Sequence, residues 1–275
     1  MADQEQSSFP SRWALVTGAS AGIGQDFCRQ LAASGYHLVL VARRADRLHT
    51  LATELRQAHG TASLVLPADL SEPGAPRTIA RELKKKDIKV EFLVNNAGYG
   101  LPGRFVDPNW EEHREFIQVM MTSVCDLTWR LLPAMQEQKK GFVINVASVA
   151  GLVAASEGHT LYGASKAFLI MFSESLALEN RHWNVNVSAL CPGFTYSEFH
   201  DVSGTRDRVN KLPGYMWLSA GEVVRYGIES VVRDKPRSVA IPGWYYRAMV
   251  ALNRHFPWLS RWGVKRMSHR FRKLD

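Results

Sequence analysis

Apolar and polar positions along the chain fall into two alternating rhythms. Short runs rich in β-branched residues read as buried strands at Trp13–Thr17, His37–Ala42, Ala62–Leu66, Phe92–Asn95, Phe142–Ala147, Val185–Leu190 and Ser238–Ile241. Between them, helical spacing runs over Gly22–Ser34, Ala45–His59, Ala75–Lys85, Trp110–Gln138, Leu161–Asn180 and Ala220–Arg233. The runs are apolar throughout rather than alternating, as in strands covered on both faces. Strand–helix alternation of this kind predicts an α/β fold: a doubly wound parallel sheet with helices on both faces, in a single domain. No repeat or low-complexity segment divides it. We divide the chain into a flexible N-terminus (1–10), a catalytic domain (11–243) and a C-terminal tail (244–275).

In sheets of this type ligands bind beyond the carboxyl ends of the strands. The first strand runs into Thr17-Gly18-Ala19-Ser20-Ala21-Gly22-Ile23-Gly24 and then a helix. Glycines let the backbone turn sharply and approach a pyrophosphate, and the helix N-terminus offers free N–H groups. The competing reading is a tight structural turn. Eighteen residues past Gly24 the second strand ends at Ala42-Arg43-Arg44. An acidic residue near this point would hold a ribose 2′-hydroxyl. Alanine followed by two guanidinium groups suits a 2′-phosphate instead, which favours NADP(H) over NAD(H).

The central strand ends at Asn145-Val146-Ala147-Ser148, and Tyr162-Gly163-Ala164-Ser165-Lys166 opens the next helix. Tyr and Lys at i, i+4 share a helical face. A tyrosine with its ordinary pKa is a poor acid–base group near neutrality, and an adjacent ammonium is expected to lower it. Alone, the spacing is common. Its place after a strand-end serine makes Tyr162 and Lys166 a candidate acid/base pair, with Ser148 able to hydrogen-bond a substrate oxygen.

With these residues in view, the sequence resembles the short-chain dehydrogenase/reductase superfamily from Trp13 to Gly243. The matching motifs are TGASAGIG (Thr17–Gly24), ADL (Ala68–Leu70), NNAG (Asn95–Gly98), Ser148, YGASK (Tyr162–Lys166) and CPGFT (Cys191–Thr195). The resemblance implies Tyr162 as general acid/base, Lys166 as its partner and ribose anchor, and Ser148 as substrate orienter. It implies that cofactor lies on Gly18, Ser20, Gly22, Ile23, Gly24, Arg43 and Arg44, with Asp69 by the adenine ring. Asn96, Ala97 and Gly98 would pass the ribose, and Pro192, Gly193 and Thr195 would hold the nicotinamide carboxamide.

The chain departs from the family in two places. Counting back from Leu131-Leu132-Pro133 puts Met120 where the family usually has an asparagine supporting a proton path to the lysine. A thioether cannot replace an amide, so backbone and water, or Thr122 or Ser123, would have to serve, or activity would be weak. The Ser148–Tyr162 interval is also one residue longer than usual. The extra residue is absorbed in the Leu152–Thr160 loop, where Glu157 and His159 could border substrate.

Composition narrows the setting. The chain has 275 residues, three separated cysteines and a net charge of +8 (34 − 26). Sparse cysteines suit a reducing compartment, and the polar, acidic start lacks the pattern of a signal peptide. No run reaches the ~18 apolar residues of a spanning helix. No metal site is expected, and no nucleic-acid partner. The expected place is the cytoplasm. From Trp244 to Asp275 eight Lys/Arg face one acid, so +7 of the charge lies in the tail. Aromatics among cations fit either a membrane surface or a cover over the substrate mouth. Pro257 should break the tail into two helices.

The expected activity is NADP(H)-dependent interconversion of a carbonyl and an alcohol, as a reductase of a lipophilic substrate: Phe194, Tyr196, Phe199, Tyr215, Met216 and Trp217 in the Phe194–Trp217 segment suggest a large apolar substrate, the alternative being that several of them only pack the segment. A homo-oligomer is expected. The alternative is an NADPH-binding scaffold or sensor with weak catalysis, which Met120 motivates.

Overall fold

The computed structural model describes residues 12–101, 103–155, 157–158, 160–199, 212–256 and 258. The flexible N-terminus expected over 1–10, the middle of the Phe194–Trp217 segment, His159, and the tail from 259 onward lie outside the described residues.

Seven parallel strands form one sheet: β1 (Trp13–Thr17), β2 (His37–Ala42), β3 (Ser63–Pro67), β4 (Val90–Asn95), β5 (Gly141–Val146), β6 (Val185–Leu190) and β7 (Val239–Ala240). They lie in the order β3-β2-β1-β4-β5-β6-β7. The order reverses direction at β1, and that switch opens a crevice between the loops after β1 and β4. Among the described residues, eight helices flank the sheet: α1 (Gly22–Ala33), α2 (Ala45–His59), α3 (Ala75–Lys85), α4 (Trp110–Ile117), α5 (Ser123–Glu137), α6 (Thr160–Asn180), α7 (Ala220–Val232) and α8 (Trp244–His255).

Alternate residues of each strand serve opposite cores. Ala14 and Val16 of β1 join Phe27 and Leu31 of α1, Leu48 of α2 and Val223 of α7 on one face. Leu15 joins Ile79 of α3, Phe116 of α4, and Leu127 and Met135 of α5 on the other. This two-sided burial explains why the strands are almost uninterrupted apolar runs.

Two departures from the sequence reading have physical reasons, and the end of the last named helix agrees with it. β4 begins at Val90, two residues early, and takes in Glu91. That carboxylate is buried, but Arg12 (2.9 Å), Lys140 (3.3 Å) and the Tyr36 hydroxyl (2.8 Å) surround it, and together they hold it ionised below its ordinary range. The expected single helix over Trp110–Gln138 contains a π-turn at Gln118–Thr122. α8 stops at His255, just short of Pro257, as the proline requires.

Candidate active site

The Gly18–Gly24 loop is built by close approach. Gly18 and Gly22 have φ of +67° and +52°, a region costly for any residue with a Cβ. A Cβ at Gly24 would overlap the Gly18 carbonyl oxygen, and one at Gly18 would lie 2.7 Å from Asn96 Nδ2. Ala21, at the N-cap of α1, has no side chain able to cap it, so the first-turn N–H groups of α1 point outward. Thr17 Oγ1 receives hydrogen bonds from the backbone N–H of Asn96 (2.9 Å) and Ala97 (3.0 Å), and Asn96 Nδ2 donates to Thr17 O (2.9 Å). The ends of β1 and β4 are therefore locked together at the switch point. These features fit an anionic dinucleotide.

The second strand ends as expected. Arg43 is exposed, and its Nη1 lies 3.9 Å from Asp69 Oδ2. The other oxygen of Asp69 is held by the N–H and hydroxyl of Ser71 at 2.9 and 2.8 Å. Arg44 turns the other way, donating to Ser20 Oγ (3.2 Å) and to Glu198 (3.2 Å). Arg47 also donates to Glu198, at 2.7 Å. A Cβ on Gly22 would touch Ser197, so Ser197–Glu198 packs over the glycine loop.

At the end of β5, Ser148 is buried. Its Oγ lies 3.4 Å from Pro192 O and caps a 3-10 turn through Ala150 N–H (3.1 Å). A hydrogen bond from Ser148 reaches the Tyr162 hydroxyl. Lys166 is 6% exposed, and its Nζ donates to Val146 O at 2.7 Å while lying 5.6 Å from the centre of the Tyr162 ring. Burial pushes Tyr162 up to about 12, against the lowering effect of the Ser148 bond. Burial also brings Lys166 down to about 8. The lowering of Tyr162 expected from an adjacent ammonium is not the state of this site: the ammonium is directed at a carbonyl oxygen, and desolvation dominates.

On the far side, Thr195 is buried with its hydroxyl on Gly193 O (3.0 Å). Pro192 O accepts from Val149 N–H (3.1 Å), which joins the Pro192-Gly193 turn to the segment after Ser148. Ser148, Tyr162, Lys166, Pro192 and Thr195 thus converge on one end of the crevice, and Gly18, Ser20, Arg43 and Asp69 on the other. Phe199 is the aromatic residue of the Phe194–Trp217 segment that meets the site, its ring 5.7 Å from that of Tyr162. Tyr196 stacks on Trp217 (4.6 Å) and Tyr215 meets Tyr245 (5.4 Å), so these pack the segment itself.

Met120 is fully buried within the π-turn and sits against Gly98, where a Cβ would lie 2.9 Å from its sulfur. Neither suggested substitute takes over its amide role. Ser123 donates to Leu70 O (2.8 Å) and accepts from Gln118 (3.1 Å), and Thr122 is exposed while Lys166 is buried. Met120 lies within the π-turn, where the backbone departs from regular helical hydrogen bonding.

Sequence reasoning missed a buried polar ladder between β4, β5, α5 and α6. Asn95 Nδ2 donates to Asn145 Oδ1 (2.8 Å) and Thr128 Oγ1 (3.1 Å), and Asn145 Nδ2 donates to Ser173 Oγ (2.9 Å). Two amides inside apolar strands were the available signal. It also missed Tyr246 and Asn253 of α8, which carry no motif.

The model of the short chain dehydrogenase family matches residues 12–207. The chain belongs to the short-chain dehydrogenase family. A 7beta-hydroxysteroid dehydrogenase of Collinsella aerofaciens is 33% identical over 202 residues, covering 74% of this chain and 73% of that protein. A very-long-chain 3-oxoacyl-CoA reductase of Laccaria bicolor is 34% identical over 208 residues, 74% of this chain but only 61% of that protein. Among solved structures, a short-chain dehydrogenase from Sphingobium yanoikuyae in complex with NADPH superposes with a TM-score of 0.79 at 32% identity, covering 92% of this chain and 94% of the other. The chain is accordingly an oxidoreductase of this family, on a Rossmann-type sheet.

Proposed function

We propose that this short-chain dehydrogenase interconverts a lipophilic carbonyl compound and its alcohol with NADP(H). The observation that carries the reading is the Ser148–Tyr162 hydrogen bond beside buried Lys166, with the Phe199 ring 5.7 Å away. When bound, the nicotinamide supplies or accepts the hydride. The residues do the rest. Ser148 donates to the substrate oxygen and orients it. In reduction, Tyr162, protonated over the whole working range, gives its proton to that oxygen as charge develops there. Lys166 is charged below about pH 8, and turning its ammonium from Val146 O toward ribose and phenolate would stabilise the tyrosinate left behind.

For the cofactor, exposed Arg43 beside Asp69, after Ala42, supports a seat for a 2′-phosphate, with Ser20 and Arg44 at its edge. Gly18, Gly22, Ile23 and Gly24 receive the pyrophosphate. Asn96, Ala97 and Gly98 pass the ribose, and Pro192, Gly193 and Thr195 receive the carboxamide. A steroid and a very-long-chain acyl group are named for the two relatives, which supports an apolar substrate class.

Exposed Trp129, Met171 and Leu178 on α5 and α6 support a homo-oligomer through that face. Exposed Trp244, Leu252, Phe256 and Trp258 support peripheral contact with a membrane. Among the described residues no helix is long and apolar enough to cross one.

NADPH oxidation over ketones of increasing chain length, with and without lipid vesicles, tests the reading. Tyr162→Phe should lose turnover by about 1000-fold or more and keep NADPH binding. Undiminished turnover in that variant would sink the mechanism.

A further inference from the structure

Helix α8 reaches into the site at two points. Tyr246, in the first turn of α8, is 2% exposed. Its ring fills the space over Gly193 so completely that a Cβ there would overlap it. Its hydroxyl accepts from Phe194 N–H (2.9 Å) and donates to Met216 O (2.5 Å). Phe194 and Met216 lie in the two described stretches that meet at the Thr195–Leu218 bridge. One phenol oxygen therefore joins both stretches, directly after the Pro192-Gly193 turn.

Seven residues on, Asn253 lies on the same face of the helix, about 10 Å away along its axis. Its Nδ2 donates to Leu152 O (3.0 Å) and its Oδ1 accepts from Ala154 N–H (3.2 Å). Leu152–Ala154 belongs to the loop between Ser148 and Tyr162, which on the reading given above forms a second wall of the substrate space. The amide is matched donor to acceptor and acceptor to donor, so it fixes that loop rather than merely touching it.

We propose that α8 sets the width of the substrate pocket, with Tyr246 and Asn253 as positioning residues that determine selectivity for bulky over small ketones. The proposal rests on the reading of Ser148, Tyr162 and the Pro192–Thr195 turn given above. Neither side chain touches the reacting atoms. Each acts through backbone: Tyr246 through Phe194 and Met216, Asn253 through Leu152 and Ala154. The adenine half of the cofactor site, on Gly18–Gly24 and Arg43, is remote from both.

The test uses the full-length chain and three variants: Tyr246→Phe, Asn253→Ala and, in parallel, Tyr162→Phe. Tyr246→Phe keeps the ring over Gly193 and removes only the oxygen. The probes are butanone, a long-chain methyl ketone and decalone. The measurements are kcat and KM with NADPH, calorimetric affinity of each ketone for the NADP+ complex, NADPH affinity, and Tm. In Tyr246→Phe, KM and Kd for the two large ketones should rise about 10-fold, since a buried N–H and C=O lose their shared partner. Values for butanone and for NADPH should stay within about twofold. Asn253→Ala should shift the same selectivity ratio in the same direction.

An unchanged ratio of large to small ketone in both variants overturns the proposal. So does a parallel loss of NADPH affinity, kcat and Tm, which would mean that α8 only holds the fold together. Turnover surviving in Tyr162→Phe would instead overturn the catalytic reading, and the calorimetric ratios would still decide the role of α8.

Discussion

Replacing Lys166 by methionine should make the cofactor-free protein more stable near neutral pH while removing its turnover. The buried ammonium has come down from 10.5 to about 8. At about 1.36 kcal/mol for each pKa unit, keeping it charged costs the native state roughly 3 kcal/mol. Methionine fills similar space without charge, but leaves Val146 O without its 2.7 Å donor, a loss of about 1 kcal/mol. The net gain is ~2 kcal/mol at pH 7. The sign with pH follows from linkage. Because the native pKa lies below the unfolded one, the penalty is fully present below about pH 8. It fades as pH rises toward 10.5, where lysine is neutral in both states. The wild type therefore gains on the variant by roughly 2 kcal/mol between pH 7 and pH 10. Tyr162 and Cys191, both pushed up to about 12 by burial, are common to the two proteins, so their titration largely cancels in the difference. Urea unfolding of both proteins at each pH measures it. A variant less stable at pH 7, or a difference that does not change with pH, would refute the account of a desolvated ammonium.

Three further outcomes follow from the site. Arg43→Ala should weaken NADPH binding by about 10- to 100-fold and leave NADH binding within a fewfold, read by fluorescence titration. Gly24→Ala should abolish cofactor binding, because its Cβ overlaps the Gly18 carbonyl oxygen and must displace the loop; binding retained within about twofold would contradict that packing. Met120→Asn places an amide among apolar neighbours, so Tm should fall by several degrees, for a cost of about 1–3 kcal/mol. A rise in turnover in the same variant would show that the proton path is impaired in the natural chain.

Periodicity and residue type made most of the sheet legible. Ala14, Val16 and their neighbours are buried on both faces, and that burial leaves a direct mark in the sequence. The glycine loop, Ser148, Tyr162 and Lys166 were legible for a different reason: each is a particular residue type at a strand end or at the start of the helix that follows. Glu91 was hidden because its three partners, Arg12, Tyr36 and Lys140, come from three separate stretches of chain. The π-turn was hidden because it changes a hydrogen-bond register without changing the apolar stripe. Tyr246 and Asn253 were hidden among tail aromatics and cations, since their role lies wholly in contacts to backbone roughly fifty and a hundred residues earlier. The direction of the Tyr162 shift was misjudged because spacing reveals proximity to Lys166 but not where the ammonium points.

The carboxylate of Glu198, gripped by Arg44 and Arg47 next to Ser20, makes arrival of a 2′-phosphate an exchange of anions rather than the neutralisation of bare cations. An internal competitor of this kind flattens the salt dependence of cofactor affinity, because salt weakens the outgoing pair along with the incoming one. It also links two events that would otherwise be independent. Were a phosphate to draw Arg44 away, Glu198 would lose one of its two arginine partners at the start of α2. Binding at the adenine end would thus be felt at Ser197–Glu198, which packs over the glycine loop.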